Sequence, residues 1–419
     1  MSTYRLETLF APKSVAVVGA SERQGALGGI VLQRLHAGGF GGRLTAVNPK
    51  YTKVHGIACV SALKALEVPP ELIVVTTPPA TVPSIIAEAV AVGVETAIVL
   101  TAGLGRGPGS FGADMLAKAR AAGLRIVGPN CLGVLSPRAR LNASFAPALP
   151  KPGTLALISQ SGAIATGVAE WAIRRDIGLS GIVSIGDALD VDVGDLIDFF
   201  AEDPGTRAIL MYVEAITDAA KFLSAARKAA RVKPVIVLKS GRHGEAARAA
   251  ATHTGALAGS DSVYHAAFHR AGCVRVTDLD ALFAAATTLA HHTSLAGDRL
   301  AILTNGGGLG VLSVDRLVDH GGRLAGLAPE TVTRLDRSLP ATWSRANPVD
   351  IIGDAPPERY AAALNGLLDD PGNDAILVLN CPTAITAAPE AAEAVITTLE
   401  ERRVAGSPSR YSSWARATS

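Results

Sequence analysis

A histidine stands in a run of small residues, Ala250-Ala-Thr-His253-Thr-Gly-Ala-Leu-Ala-Gly259. Neighbours of that size leave an imidazole reachable, and a neutral ring nitrogen can attack a phosphoryl group. A carboxylate on the other nitrogen would fix the tautomer and balance the charge. Glu214 is the candidate, because it directly follows the apolar run Ala208-Ile-Leu-Met-Tyr-Val213. Ser159-Gln160-Ser161-Gly162-Ala163 follows a second apolar run, Leu155-Ala-Leu-Ile158, and opens helix-forming sequence. Free amides at a helix start, the helix dipole and the hydroxyls of Ser159 and Ser161 would together cradle an anion. Plainer readings stay open: a loop histidine is commonly structural, and serines in this place cap helices.

A second group of residues suits a nucleotide. Gly19-Ala20-Ser21 follows the apolar run Val15-Ala-Val-Val18 and begins a glycine loop reaching Gly28. The loop departs from the GxGxxG dinucleotide pattern, since Ser21 takes the second glycine's place. A NAD site also wants an acidic residue at the end of the second strand. Here Leu44-Thr-Ala-Val47 ends in Asn48-Pro49-Lys50. A lysine there attracts phosphate, so the loop fits a nucleotide carrying an extra phosphate, such as coenzyme A, better than NAD. Thr76-Thr77-Pro78-Pro79 follows a further run, and its prolines remove donors and set an extended path along which a ligand could lie. Lys50 as a solvated surface lysine and the Thr76–Pro79 segment as an ordinary strand-exit turn are the alternatives.

These residues need elements to position them. One phrase occurs three times: a short apolar run, a turn of small residues, then helix-forming sequence. It begins at Val15, at Leu155 and at Leu300, where Leu300-Ala-Ile-Leu303 leads into Thr304-Asn305-Gly-Gly-Gly308. Apolar runs alternating with Ala-rich stretches imply parallel strands covered by helices on both faces. Ligands then sit beyond the carboxyl ends of the strands, where all the residues above fall. The fold expected is α/β: a Rossmann-like domain over 1–145, then flavodoxin-like parallel-sheet domains over 150–293 and 298–402, and a polar tail over 403–419. The 419 residues suit such a division.

Composition removes several functions. The chain is 48% hydrophobic and 18% charged, with a net charge of +2, so it has no basic field for nucleic acid or an anionic membrane. Four scattered cysteines, Cys59, Cys131, Cys273 and Cys381, form no CxxC and no zinc spacing, so no metal site and no disulfide framework is expected. The start has no apolar signal segment and no run is long enough to span a membrane, which predicts a cytoplasmic protein.

Nine phrases in order carry a resemblance: LFAPKSVAVVGAS, AVNPK, IVGPNCLG, LISQSGA, YVEAITD, VLKSGR, ATHTGALAGSD, TNGGGLGV and NPVDIIG. Together they resemble the nucleoside-diphosphate-forming acyl-CoA synthetases, in particular the α-subunit part of ADP-forming acetate–CoA ligases, relatives of succinyl-CoA synthetase α. The resemblance implies a coenzyme A site on the first domain at Gly19, Ala20, Ser21, Asn48, Pro49 and Lys50, with Thr76, Thr77, Pro78, Pro79, Pro129 and Asn130 along it. It implies that His253 is the phosphohistidine and Glu214 its charge-balancing partner. It implies that Ser159, Gln160, Ser161, Gly162 and Ala163 hold the phosphate, with Asn305–Gly308 another anion loop. The implied activity interconverts acyl-CoA, ADP and phosphate with acid, coenzyme A and ATP.

The resemblance also implies an ATP-grasp domain for ADP, ATP and Mg²⁺. The third domain begins near 298 and leaves about 120 residues, roughly one domain. The ATP-grasp part is therefore expected as a separate β subunit or domain, in an oligomer. The tail Arg403–Ser419 is polar and reads as an altered end of a shortened third domain. Asp187 stands where the resemblance leads to an asparagine, placing an extra carboxylate by the phosphate site. The alternative function is a non-catalytic coenzyme A-binding module, as in the front half of some protein acetyltransferases. An NAD-dependent oxidoreductase would need an acidic residue where Asn48–Lys50 stands.

Overall fold

The computed structural model describes residues 3–246, 260–291, 295, 297–383 and 388–404. The chain divides into two compact units, Met1–Ala290 and His291–Ser419.

The first unit holds two seven-stranded sheets. In the first, β1 (Ser14–Val18), β2 (Arg43–Val47), β4 (Ile57–Val60), β5 (Leu72–Val75), β6 (Thr96–Val99) and β7 (Arg125–Val127) run parallel, and β3 (Lys53–Val54) pairs antiparallel with β4. The order is β3-β4-β2-β1-β5-β6-β7. The chain leaves β1 first to one side and then to the other, so the switch point lies between β1 and β5. β1, β5 and β6 are buried at every residue, as strands covered on both faces must be. Their Val, Ile and Ala side chains pack against the helices Leu27–Ala37, Val82–Val92 and Phe111–Ala122.

The second sheet has the order β14-β13-β12-β10-β11-β8-β9. Its strands are β8 (Gly133–Ser136), β9 (Leu141–Ser144), β10 (Pro152–Ser159), β11 (Leu179–Ser184), β12 (Ala208–Val213), β13 (Val235–Lys239) and β14 (Val274–Val276). β8 and β9 form an antiparallel hairpin on the edge of an otherwise parallel sheet. One core runs through both sheets, from Val15 and Leu72 to Ile158 and Met211. Leu6 and the short helix Glu7–Phe10 that follows it add Leu6, Leu9 and Phe10 to this core, and the Phe10 ring stacks on Phe199 at 4.4 Å.

The second unit is built on a smaller parallel sheet. β15 (Arg299–Thr304) is flanked by β18 (Ala375–Leu379) on one side, and by β16 (Arg323–Leu324) and β17 (Val349–Asp350) on the other. The helices Gly307–Asp319, Pro329–Ser338, Pro357–Leu368 and Ala388–Val404 accompany it. Tyr360, Leu364 and Leu367 bury one helix against Leu303 and Val349. β18 is only half-buried at all five positions. Val311, Leu312 and Val318 on the helix Gly307–Asp319 are exposed. All three sheets are parallel-dominated α/β structures, as the alternation of apolar runs and Ala-rich stretches predicts.

Candidate functional site

The carboxyl ends of β1, β2 and β5 meet at the switch point of the first sheet. Gly19 leaves β1 with φ +93°, and a Cβ there would lie 2.8 Å from Thr76 Oγ1. A Cβ on Gly28 would lie 2.6 Å from the Gly19 carbonyl oxygen. Both glycines therefore let the loop, the β5 exit and the helix Leu27–Ala37 pack in direct contact, which the broken GxGxxG pattern conceals. Asn48 Nδ2 donates to the Ala20 carbonyl at 2.7 Å, while its Oδ1 accepts the Lys50 amide at 3.0 Å. Ser21 Oγ and the Tyr51 hydroxyl lie 3.2 Å apart. Pro49 and Lys50 are exposed. The exit of β2 thus presents a lysine and no carboxylate, and the Asn48 side chain is committed to shaping the loop.

Thr76 Oγ1 donates to the Val18 carbonyl at 2.9 Å, so this hydroxyl also holds the loop. Thr77 Oγ1 is buried and has no hydrogen-bond partner among the described residues. Pro78 is extended, with φ −56° and ψ 148°. The extended path stops there, because Pro79 opens a 3-10 turn leading into the helix Val82–Val92. Proline is favoured at such a start because its missing N–H would have no partner there.

Pro129 and Asn130 lie at the seam between the two sheets. The Pro129 carbonyl accepts the Asp187 amide at 2.9 Å. Asn130 Nδ2 donates to Asp187 Oδ1 at 3.3 Å, and Arg106 Nη2 lies 4.0 Å from the same oxygen. Asn130, Arg106 and Asp187 line a cavity of about 390 Å³, together with Gln160–Ala163 and Glu214. The extra carboxylate of Asp187 therefore comes with a cation and an amide beside it. Sequence carries no signal for Arg106, since its partner lies 81 positions further on and nothing local marks the pair.

Within the cavity the roles of the SQSG residues divide. Ser159 is fully buried, and its hydroxyl donates to the Ser161 carbonyl at 2.7 Å and accepts the Ser161 amide at 3.1 Å. Its hydrogen bonds are spent on the turn, which corrects the expectation of a donor for an anion. Ser161 caps the helix Gly162–Arg174, its Oγ accepting the Ile164 amide. Gln160 also has its amide engaged: Oε1 accepts the amides of Glu214 and Ala215, and Nε2 donates to the Ala215 carbonyl. The amides of Gly162 and Ala163 remain as the first of the helix, where no intrahelical acceptor exists. The part of this segment left for an anion is therefore the backbone at 162–163 with the helix dipole behind it.

Glu214 is half-buried at the exit of β12 and lines the same cavity. Lys239, at the exit of the neighbouring β13, is 2% exposed, and its Nζ sits 4.6 Å over the Tyr264 ring. Burial pushes its ammonium down from the ordinary lysine range, against the pull of Asp261. Burial likewise raises the Tyr212 hydroxyl. Cys131 lines the cavity, and burial pushes its thiol up to about 12, so it is held neutral. His253 lies outside the described residues, as does the tail from 405 onward.

A charged network behind the cavity fixes its wall. Arg125 at the start of β7 binds Asp190 and Asp195 at 3.0 Å each, and Lys221 Nζ binds Asp192 at 3.0 Å and Asp195 at 2.8 Å. Asp192 and Asp195 form a reciprocal capping box on the helix Val193–Glu202. The D-x-x-D spacing before an apolar run is the sequence signal of this cap. Among the described residues no group of three or more His, Cys, Asp or Glu could hold a metal. No described helix is long and apolar enough to cross a membrane.

In the second unit, Asn305 hydrogen-bonds the Cys381 backbone through both ends of its amide. Asp350 Oδ2 lies 2.8 Å from where a Gly307 Cβ would sit. A carboxylate thus already stands at that helix start, which weighs against Asn305–Gly308 as a second anion loop.

Three family models match successive stretches of the chain. Residues 13–137 match the CoA binding domain, 152–289 the succinyl-CoA ligase like flavodoxin domain, and 300–410 the ligase-CoA domain. The acetate–CoA ligase (ADP-forming) I subunit alpha of Pyrococcus furiosus is 39% identical over 94% of this chain and 87% of its own length. The chain belongs to the nucleoside-diphosphate-forming acyl-CoA synthetase family. The synthetase relatives include longer chains: the acetate–CoA ligase (ADP-forming) I of Archaeoglobus fulgidus is 38% identical over 93% of this chain but only 57% of its own length. The chain thus spans little more than half of that relative. Among synthetases of known structure, the acetyl-coenzyme A synthetase 1 of Ca. Korarchaeum cryptofilum, solved in complex with phosphate and ADP, superposes with a TM-score of 0.89 at 36% identity, covering 94% of this chain and 86% of its own.

Proposed function

We propose that the chain is the coenzyme A-binding, phosphohistidine-carrying α part of an ADP-forming acyl-CoA ligase. The observation that carries the reading is the shared cavity, in which the strand-end carboxylate Glu214 faces the same space as the first amides of the helix Gly162–Arg174. A carboxylate beside an anion cradle is the arrangement a phosphoryl-accepting imidazole needs: one partner for the ring, one for the phosphoryl oxygens. His253 is the proposed acceptor. The P. furiosus relative is named an α subunit, which supports a separate partner, and the ATP-grasp nature of that partner belongs to this proposal.

Gly19–Ser21, Asn48–Lys50 and Thr76–Pro79 are the proposed coenzyme A site. The residues fit such a ligand: Gly19 and Gly28 let the loop, the β5 exit and the helix Leu27–Ala37 close into one strand-end surface, Lys50 is exposed where a phosphate would be met, and Thr77 Oγ1 has no hydrogen-bond partner among the described residues. Asn130 lines the cavity, and with Pro129 it is proposed to extend the coenzyme A site.

The proposed reaction runs in three transfers. A phosphate oxygen attacks the thioester carbon and the thiolate leaves as coenzyme A. The ring nitrogen of His253 then takes the phosphoryl group and releases the carboxylate. ADP, with Mg²⁺, receives the group on the ATP-grasp partner. The amides of Gly162 and Ala163 hold phosphoryl charge, and Glu214 holds the imidazole proton; positioning and charge supply most of what such transfers require.

The test is incubation of the chain and an ATP-grasp partner with acetyl-CoA and radiolabelled phosphate. Acid-labile, base-stable label that needs acetyl-CoA is expected. Coenzyme A binding without any such label would instead identify the non-catalytic binding module.

A further inference from the structure

Gln160 stands in a segment whose type and place suggest an anion ligand, yet its amide faces the protein. Gln160 Oε1 accepts the Glu214 amide at 2.5 Å and the Ala215 amide at 3.0 Å, and Nε2 donates to the Ala215 carbonyl at 2.9 Å. Three hydrogen bonds from one side chain thus fall on one turn, across more than fifty residues of sequence. The turn is tied from its other side as well. The Tyr264 hydroxyl, on the helix Asp261–Ala271, accepts the Ile216 amide at 3.2 Å, and Lys239 packs on the Tyr264 ring.

The geometry has a mechanical meaning. Glu214 follows β12, and the direction of its carboxylate depends on the backbone of the turn 214–216. Gln160 directly precedes Ser161, the cap of the helix Gly162–Arg174. One amide side chain therefore couples the place where an anion is held to the place where the carboxylate is held. A neutral amide does this without adding charge to a cavity that already contains Asp187 and Glu214.

We propose that Gln160 is a positioning residue: it locks the Glu214 turn in register with the first amides of the helix Gly162–Arg174, and it acts through Glu214 rather than on phosphate. This assignment rests on the reading of Glu214 as the partner of the phosphorylated histidine, and its test separates the two.

The variants are Gln160→Leu, Gln160→Glu, Glu214→Gln and the double variant Gln160→Leu with Glu214→Gln, all in the full chain. Gln160→Glu keeps the acceptor and guards against a leucine variant that fails to fold. The first arm needs no activity. Amide hydrogen exchange at Glu214 and Ala215 is expected to rise about tenfold or more in Gln160→Leu, and less in Gln160→Glu, with the strands of the first sheet unchanged. Unchanged exchange at these amides overturns the proposal. The second arm measures acetyl-CoA-dependent labelling with an ATP-grasp partner present. Gln160→Leu is expected to slow labelling at an unchanged phosphate requirement, and the double variant to be no slower than Glu214→Gln alone. A raised phosphate requirement, or losses that multiply, shows Gln160 acting on phosphate and overturns the proposal. If the unmodified chain takes no label, the functional reading falls, and the exchange arm alone decides whether Gln160 holds the turn.

Discussion

Lys50 is exposed at the exit of β2, on a loop that Asn48 ties to Ala20. A charged hydrogen bond to phosphate contributes roughly 1.5–3 kcal/mol, and exposure brings the expected value to the low end. Lys50→Glu should therefore weaken coenzyme A binding about tenfold or more, with the loss shrinking as salt is added; calorimetric titration checks both. Cys131 offers a second residue-scale outcome. Its thiol is pushed up to about 12 by burial, so at about pH 8 iodoacetamide should spare it in the folded chain and modify it on unfolding, as peptide mapping would show. The residue types at the strand exits were legible, because the positional rule for parallel sheets points to them. What sequence could not show is which side chains spend their hydrogen bonds on the protein. Ser159, Gln160, Asn48 and Thr76 all look like ligand donors in a one-dimensional reading. Each is engaged by backbone groups, and for three of the four these lie more than twenty residues away.

At the scale of elements, the main strands were readable as short apolar runs, since a strand buried on both faces has no alternation to disguise it. The hairpin Gly133–Ser144 was not, because it leaves the first sheet's last strand and joins the second sheet through antiparallel pairing with β11, a long-range choice. The contact between the β1 exit and the helix Leu27–Ala37 depends on Gly28. Gly28→Ala places a Cβ 2.6 Å from the Gly19 carbonyl, and the backbone on both sides has little room to yield. A loss of about 1–3 kcal/mol is expected, seen as a lower melting temperature and weaker coenzyme A binding. The wall of the cavity depends on Arg125. Removing one partner of a buried pair costs roughly 3–5 kcal/mol, and Asp195 keeps Lys221, so Arg125→Met should cost about 3 kcal/mol in denaturant unfolding of the first unit.

At the scale of the whole chain, two units carry three parallel-dominated sheets, and the recurring phrase at Val15, Leu155 and Leu300 marks one sheet each. Within the second unit, Arg299 at the start of β15 binds Asp374. The Arg299 guanidinium holds the Asp374 carboxyl down to about 2, against an ordinary value of 3.8. A depressed carboxylate contributes stability that is present above its unfolded value and is lost as pH falls through its folded value. Asp374→Asn should therefore lower the melting temperature near neutral pH, and its difference from the unmodified chain should shrink as pH approaches about 2. The central claim is that position 253 carries phosphate during turnover. Peptide mapping under alkaline conditions, after reaction with acetyl-CoA and phosphate, tests it most directly. The account predicts a phosphate on the peptide containing His253, gone in His253→Asn while coenzyme A still binds. Phosphate on another residue, or equal labelling of His253→Asn, would contradict it.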